Sequence, residues 1–85
     1  MTVRLLYFAW VREKLARASE TVTIPPEVTT IADLMAWLGR RSAEDLEVFS
    51  RVGIVRAAID QAHALPAASI AGAREIAFFP PVTGG

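Results

Sequence analysis

Several segments of the chain are rich in β-branched and aromatic residues or alternate apolar and polar positions, and both patterns predict strands. Such segments lie at residues 2–10, 20–24, 53–60 and 73–79. Pro25-Pro26 and Pro80-Pro81 follow the second and the fourth of them. Proline lacks the backbone N–H donor and therefore cannot continue a strand. The sequence thus predicts four strands, two of which have well-defined ends.

A helix is predicted from Thr30 to Gly39. Thr30 is a suitable N-cap, and Asp33 lies in the first turn, where a negative charge interacts favourably with the helix dipole. The apolar residues that follow at helical spacing on one face are Ile31, Leu34, Met35 and Leu38. Shorter helices are predicted at 11–18 and 43–51, and residues 61–72 are predicted to form a turn.

The order of these elements, strand-strand-helix-strand-strand, predicts an α+β domain. In this class one main helix packs on a mixed sheet of four to five strands. We predict that residues 1–79 form this domain and that residues 80–85 form an extended, flexible tail ending in Gly84-Gly85.

Composition excludes several kinds of site and partner. The chain has 85 residues, of which 53% are hydrophobic, and its formal net charge is zero. Nucleic-acid binding proteins usually carry a clustered basic excess, so no nucleic-acid partner is expected. There is no cysteine, and no apolar run approaches the length of a membrane span. We therefore expect a cytoplasmic protein without a membrane partner.

A conventional active site is difficult to assemble from this sequence. His63 is the only histidine, and without cysteine no metal site is expected. No glycine-rich phosphate loop and no serine in a nucleophile-elbow motif is present. The carboxylates, Asp45 among them, are expected on the surface. Trp10 and Trp37 are expected to anchor the core, and His63 is expected in an exposed turn.

The tail is the segment that the sequence marks as chemically distinct. The two prolines direct it away from the sheet, and Gly84 and Gly85 are slender enough to enter a narrow channel in another protein. The reactive group offered there is the α-carboxylate, which is ionised at neutral pH. A carboxylate is a poor electrophile, so its use requires activation, typically adenylation by ATP on a partner enzyme.

The segments LLYFAWVREKLA, VRAAIDQ and EIAFFPPVTGG together resemble the small subunit of molybdopterin synthase, over essentially the whole chain. The resemblance implies the ubiquitin-like β-grasp fold. It also implies that a ubiquitin-activating-like adenylyltransferase uses ATP to activate the terminal carboxylate, which becomes a thiocarboxylate. The sulfur would then pass to cyclic pyranopterin monophosphate in a pocket of the large subunit, usually within a heterotetramer. The chain would bind no cofactor and would not be catalytic alone.

The resemblance assigns roles to individual positions. Gly85 matches the residue that carries sulfur, and Gly84 its slender neighbour. A docking segment is matched by Phe79, Pro80, Pro81, Val82 and Thr83. Phe8 and Arg12 match a signature near the start of the chain, Phe8 as a core or interface residue and Arg12 as a contact. His63 is a further position at which a partner contact is considered.

Three alternative functions share some of these features. A sulfur carrier for thiamin or another sulfur-containing metabolite has the same fold and terminal glycines. A ubiquitin-like protein modifier shares the tail and its activation but ends on a substrate lysine. The third alternative is a simple binding module with an unused tail. The aromatic-diproline entry to the tail favours the molybdopterin branch.

Overall fold

The computed structural model describes residues 1–51 and 53–81, and these form a sheet with helices on one face. The elements are β1 (Thr2–Tyr7), α1 (Ala9–Leu15), β2 (Ser19–Thr23), α2 (Ile31–Gly39), α3 (Ala43–Phe49), β3 (Arg56–Ile59), β4 (Ala62–Ala64) and β5 (Glu75–Phe79). The described strands form one five-stranded sheet in the order β2-β1-β5-β3-β4. β1 and β5 pair in parallel, whereas the other neighbours are antiparallel. The predicted α+β class with a mixed sheet is confirmed.

Burial alternates along the strands and distinguishes a covered face of the sheet from an open one. In β5, Ile76 and Phe78 are buried, while Glu75, Ala77 and Phe79 are half-buried. Side chains alternate across a strand, so the buried set faces the helices and the other set faces away from them. The buried residues of the strands and of α2 belong to one continuous core.

Three aromatic rings connect the sheet to α3 in the centre of this core. The ring centroids of Phe49 and Phe78 are 5.2 Å apart in an edge-to-face arrangement, and Tyr7 lies 6.2 Å from Phe49 and 6.3 Å from Phe78. These are favourable distances for aromatic pairs. The two tryptophans expected as core anchors, Trp10 and Trp37, are only partly buried and pack at the margin of the core.

The predicted main helix is confirmed, including its start. The Thr30 hydroxyl accepts a hydrogen bond from the backbone N–H of Asp33 at 3.1 Å, and the Asp33 carboxylate accepts one from the N–H of Thr30 at 3.3 Å. This reciprocal capping box satisfies two backbone donors that the helix itself cannot satisfy. Hydrogen bonds from Thr29 and Thr30 lower the pKa of the Asp33 carboxyl.

The first strand is shorter than predicted, because the chain turns after Phe8. Phe8 is extended, Ala9 has a positive φ of 53°, and α1 begins at Ala9 rather than at residue 11. This turn lets Val11 and Leu15 reach the core. Trp10, predicted in the strand, therefore lies in the first turn of α1.

A short strand occupies part of the segment that was predicted to be a turn. Asp60 and Gln61 have positive φ values of 48° and 73°, which gives a two-residue connection between β3 and β4. The prediction for residues 61–72 is therefore wrong at β4. β3 is also shorter than predicted and begins at Arg56 rather than at residue 53.

Glu20 lies at the centre of an ionic cluster at one edge of the fold, which we call the Glu20 cluster; its members are Tyr7, Arg17, Glu20, Arg41 and Asp45. The Tyr7 hydroxyl and the Arg17 Nε donate hydrogen bonds to Glu20 Oε2. Arg41 donates to both Glu20 oxygens at 2.9 Å, and both arginines also contact Asp45. Asp45 is only 4% exposed, so its expected surface position is wrong.

Burial and hydrogen bonding change the acidity of this cluster. Burial alone would raise the pKa of Glu20, but hydrogen bonds from Arg41, Tyr7 and Arg17 lower it to about 2. Burial and the Glu20 carboxylate raise the pKa of the Tyr7 hydroxyl. Glu20 is therefore an anion that stabilises the junction of β1, β2 and α3 at neutral pH.

Candidate functional site

The strand that precedes the predicted tail lies in the middle of the sheet. β5 is flanked by β1 and β3 and ends at Phe79. Pro80 follows half-buried and Pro81 is exposed. Proline donates no hydrogen bond to a neighbouring strand, so the pairing stops here. The remaining predicted site residues, Val82, Thr83, Gly84 and Gly85, lie outside the described residues.

Two phenylalanines, Phe8 and Phe79, occupy neighbouring backbone positions where β1 and β5 end. Tyr7 of β1 is in register with Phe78 of β5, and the Phe8 N–H donates a hydrogen bond to the Phe78 carbonyl at 3.1 Å. Tyr7 and Phe78 face the core, so the residues that follow them, Phe8 and Phe79, face the open side of the sheet. Phe8 is 47% exposed and Phe79 is half-buried. Of the two roles expected for Phe8, the core role is wrong.

These two rings continue an apolar strip along the open face. Leu6 is in register with Ala77 of β5, and Ala77 is in register with Ala58 of β3. All three are half-buried. We call the surface formed by Leu6, Phe8, Ala58, Ala77 and Phe79 the open-face patch. Its members could not be grouped from the sequence, because the grouping depends on the register of three strands.

His63 lies beside this patch and belongs to β4 instead of a turn. It is exposed and in register with Ala58. Its ring centroid lies 6.1 Å from that of Phe79, with the planes inclined at 61°. The structure thus brings together two residues that the sequence assigned separately, His63 and Phe79.

Arg56 also lies beside the patch, and sequence reasoning missed it. It is directly opposite Phe79 in the pairing of β3 with β5, and it is exposed. Arg56, His63, Phe79 and Pro81 line a shallow hollow of about 270 Å³. The signal in the sequence was its position between the apolar residues Val55 and Ala57 of a predicted strand, which indicates that Arg56 faces the other side.

Arg12 is exposed one helical turn after Phe8. The backbone N–H of Arg12 donates a hydrogen bond to the Phe8 carbonyl at 3.4 Å. Arg12 lies on α1, which begins directly after Phe8. Its predicted role as a contact is compatible with this exposed position.

The chemistry that these groups offer is binding through apolar surface and positive charge. Among residues 1–51 and 53–81, no group of three or more His, Asp or Glu side chains could hold a metal ion. In the same part of the chain, none of the helices has the length and apolar character to cross a membrane.

Comparison with known protein families identifies the family of this chain. The model of the ThiS family matches residues 5–85, almost the whole chain. The chain belongs to the ThiS family. The match includes residues 82–85, so the Gly84-Gly85 pair is part of the matched sequence. No curated protein sequence matches the chain.

Solved structures share the fold of this ThiS-family chain. SAMP1 from Haloferax volcanii is 24% identical, each chain is covered completely, and the TM-score is 0.74. A protein described as subunit 1 of a molybdopterin converting factor from Pyrococcus furiosus is 20% identical, with 96% of this chain and 99% of that chain covered and a TM-score of 0.72. The HVO 2177 protein of Haloferax volcanii is 21% identical over 100% of this chain and 87% of that one, with a TM-score of 0.72.

The predicted ubiquitin-like β-grasp fold is therefore confirmed. The family and the fold together establish a ubiquitin-like protein with the fold of the sulfur carriers. In this ThiS-family chain, Phe8 and Phe79 of the open-face patch lie with Arg56 where the last strand leaves the sheet.

Proposed function

We propose that this ThiS-family chain is the sulfur-carrier subunit of a molybdopterin synthase, with Gly85 as the residue that carries sulfur. The family match through residue 85 supports a carrier in general, and the Phe79-Pro80-Pro81 segment beside the open-face patch is the observation that favours the molybdopterin branch. A carrier needs both features, because its tail must reach into other proteins while its domain binds to them.

The proposed chemistry begins at the Gly85 carboxylate. An adenylyltransferase of the ubiquitin-activating type joins this carboxylate to AMP and releases pyrophosphate from ATP. A sulfide-equivalent donor then attacks the acyl carbon and displaces AMP, which leaves a thiocarboxylate. The large subunit of the synthase positions this thiocarboxylate against cyclic pyranopterin monophosphate, to which the sulfur is transferred.

The domain supplies the binding surface for these steps. Phe79 is half-buried against its own sheet, so its orientation is already fixed before a partner binds. Phe8 is 47% exposed, so a partner that covers it removes more of its apolar surface from water. Both rings are adjacent to the start of the tail, so a protein that encloses the tail also covers them. Pre-oriented aromatic side chains of this kind commonly supply much of the binding free energy of an interface.

Intact-mass spectrometry tests the first half of the proposal. After incubation with the adenylyltransferase, ATP and a sulfide donor, the wild-type chain should gain about 16 Da as oxygen is replaced by sulfur. The loaded chain should then convert cyclic pyranopterin monophosphate when the large subunit is added. Deletion of Gly85 should abolish both results without changing thermal unfolding, since a terminal residue contributes little packing.

A chain extended by one alanine after Gly85 is a second test variant. It keeps both glycines but moves the carboxylate onto a different residue, so it should also fail to deliver sulfur. If the chain that lacks Gly85 transferred sulfur at the wild-type rate, the proposal would be contradicted.

A carrier for another sulfur-containing metabolite, such as thiamin, is the second candidate, favoured by the ThiS-family match itself. It predicts the same mass gain but no binding to the large subunit and no conversion of the pterin. Covalent adducts on lysine side chains would instead indicate a protein modifier.

A further inference from the structure

Charge is distributed unevenly over the surface of this chain, although its formal net charge is zero. Lys14 and Arg51 pair with Glu47 at 3.1 and 3.6 Å, and Arg17 and Arg41 belong to the Glu20 cluster. These ion pairs involve α1, α3 and the residues around β2. These four cations are therefore paired with carboxylates of the same chain.

The positive charge of Arg56, beside the open-face patch, is not neutralised in this way. Within residues 1–51 and 53–81, Arg56 makes no ion pair with a carboxylate. Glu75 is the acidic residue of β5 on the open face, at the opposite end of that strand from Phe79. The separation along the strand is about 13 Å, which exceeds the screening length of about 8 Å at physiological salt.

Arg56 occupies a position that a partner of the tail must cover. It stands opposite Phe79 in the sheet and lines one hollow together with His63, Phe79 and Pro81. Any protein that holds the tail beyond Pro81 therefore lies against Arg56. A guanidinium covered by a protein surface without a counter-charge would be strongly destabilising, because it loses its hydration.

We infer that the partner that covers the open-face patch presents an apolar centre with a carboxylate placed opposite Arg56. This rests on the proposed function, in which the large subunit is the protein that encloses the tail. The inference adds Arg56 as a residue that determines partner choice and orientation. Charge complementarity of this kind accelerates association and disfavours partners with a basic surface.

Charge reversal at Arg56 tests the inference against a matched change elsewhere. Arg40 is also exposed and makes no ion pair within the described residues, but it caps the end of α2 in the helical layer. Arg56→Glu and Arg40→Glu change the net charge equally. Binding of each variant to the purified large subunit is measured by surface plasmon resonance, and circular dichroism and thermal unfolding verify that both variants are folded.

At about 50 mM salt, Arg56→Glu should raise Kd about tenfold, mainly through slower association, and Arg40→Glu should change it less than about twofold. At about 500 mM salt the difference should shrink to about threefold or less, because the charges are screened. Arg56→Lys should retain most of the affinity and Arg56→Gln should be intermediate, so the result does not depend on one variant.

Equal effects of Arg56→Glu and Arg40→Glu, or tighter binding by Arg56→Glu, would overturn the inference while leaving the proposed function intact. Failure of the wild-type chain to bind the large subunit would overturn both. Sedimentation of the wild-type chain as a dimer that Arg56→Glu dissociates would show that a second copy covers the patch, which also overturns the inference.

Discussion

Glu20→Gln is expected to destabilise the fold by removing the charge at the centre of the Glu20 cluster. The carboxylate accepts hydrogen bonds from Tyr7, Arg17 and Arg41. A glutamine in its place has one oxygen and no charge, so it cannot accept all of these bonds. Arg17 and Arg41 would retain Asp45 as their remaining carboxylate partner.

The size of the effect follows from the pKa of Glu20, which falls from an ordinary value of 4.5 to about 2. Each pKa unit corresponds to about 1.4 kcal/mol, so the full linkage is about 3 kcal/mol. The side chain is 20% exposed, and solvent screening reduces this figure. We therefore expect Glu20→Gln to lower the free energy of unfolding by about 2 kcal/mol at pH 7.

The pH dependence of this loss identifies its cause. The folded-state pKa of Glu20 is depressed, so its contribution is complete above 4.5, its ordinary value, and is lost as pH falls toward about 2. Urea unfolding of the wild type and the variant should therefore differ most at pH 7. Most of the difference should disappear by about pH 2.5.

Glu27→Gln is the control for this experiment. Glu27 is exposed and makes no ion pair within residues 1–51 and 53–81, so its replacement should have little effect at any pH. A Glu20→Gln variant that differs from the wild type by less than about 0.5 kcal/mol at pH 7 would refute the stabilising role. A difference that is equally large at pH 7 and pH 2.5 would refute the electrostatic explanation.

Two further substitutions test the binding surface and the main helix. Phe79→Ala should raise the Kd for the large subunit at least about tenfold in the same binding assay, whereas Leu46→Ala, at an exposed residue of α3 in the helical layer, should not. An unchanged Kd for Phe79→Ala would remove this ring from the interface. Thr30→Ala should lower the free energy of unfolding by about 1 kcal/mol in urea, because the N–H of Asp33 loses its acceptor. Wild-type stability in that variant would show that water replaces the cap without cost.

Features that depend on local sequence were predictable. The helix from Ile31 to Gly39 combines a capping residue, an acidic first turn and an apolar face, so each local signal agrees with the others. The end of β5 at Phe79 was predictable for the same reason, since two prolines follow it. The fold class followed from the order of such elements.

Features that depend on tertiary contacts were not predictable in the same way. β4 was missed because its connection uses Asp60 and Gln61 at positive φ, where glycine or asparagine is the usual signal. Asp45 was expected at the surface because its burial depends partly on Arg17, which lies 28 residues away in sequence, as well as on Arg41 one helical turn before it.

The candidate site was predictable only in part, for a related reason. The aromatic residues beside the prolines were visible in the sequence, and the family resemblance pointed to Phe8. Arg56 and His63 join Phe79 only through the pairing of β3 with β4 and β5. A single sequence does not specify that register.

The central position of β5 also determines the stage of protein synthesis at which the chain can complete its fold. The antiparallel pairs β1–β2 and β3–β4 remain separate until residues 75–79 are inserted between them. Two-stranded hairpins are at best marginally stable in water, so a nascent chain cannot complete its hydrophobic core before this late segment leaves the ribosome. Prematurely terminated chains would remain unfolded and subject to proteolysis.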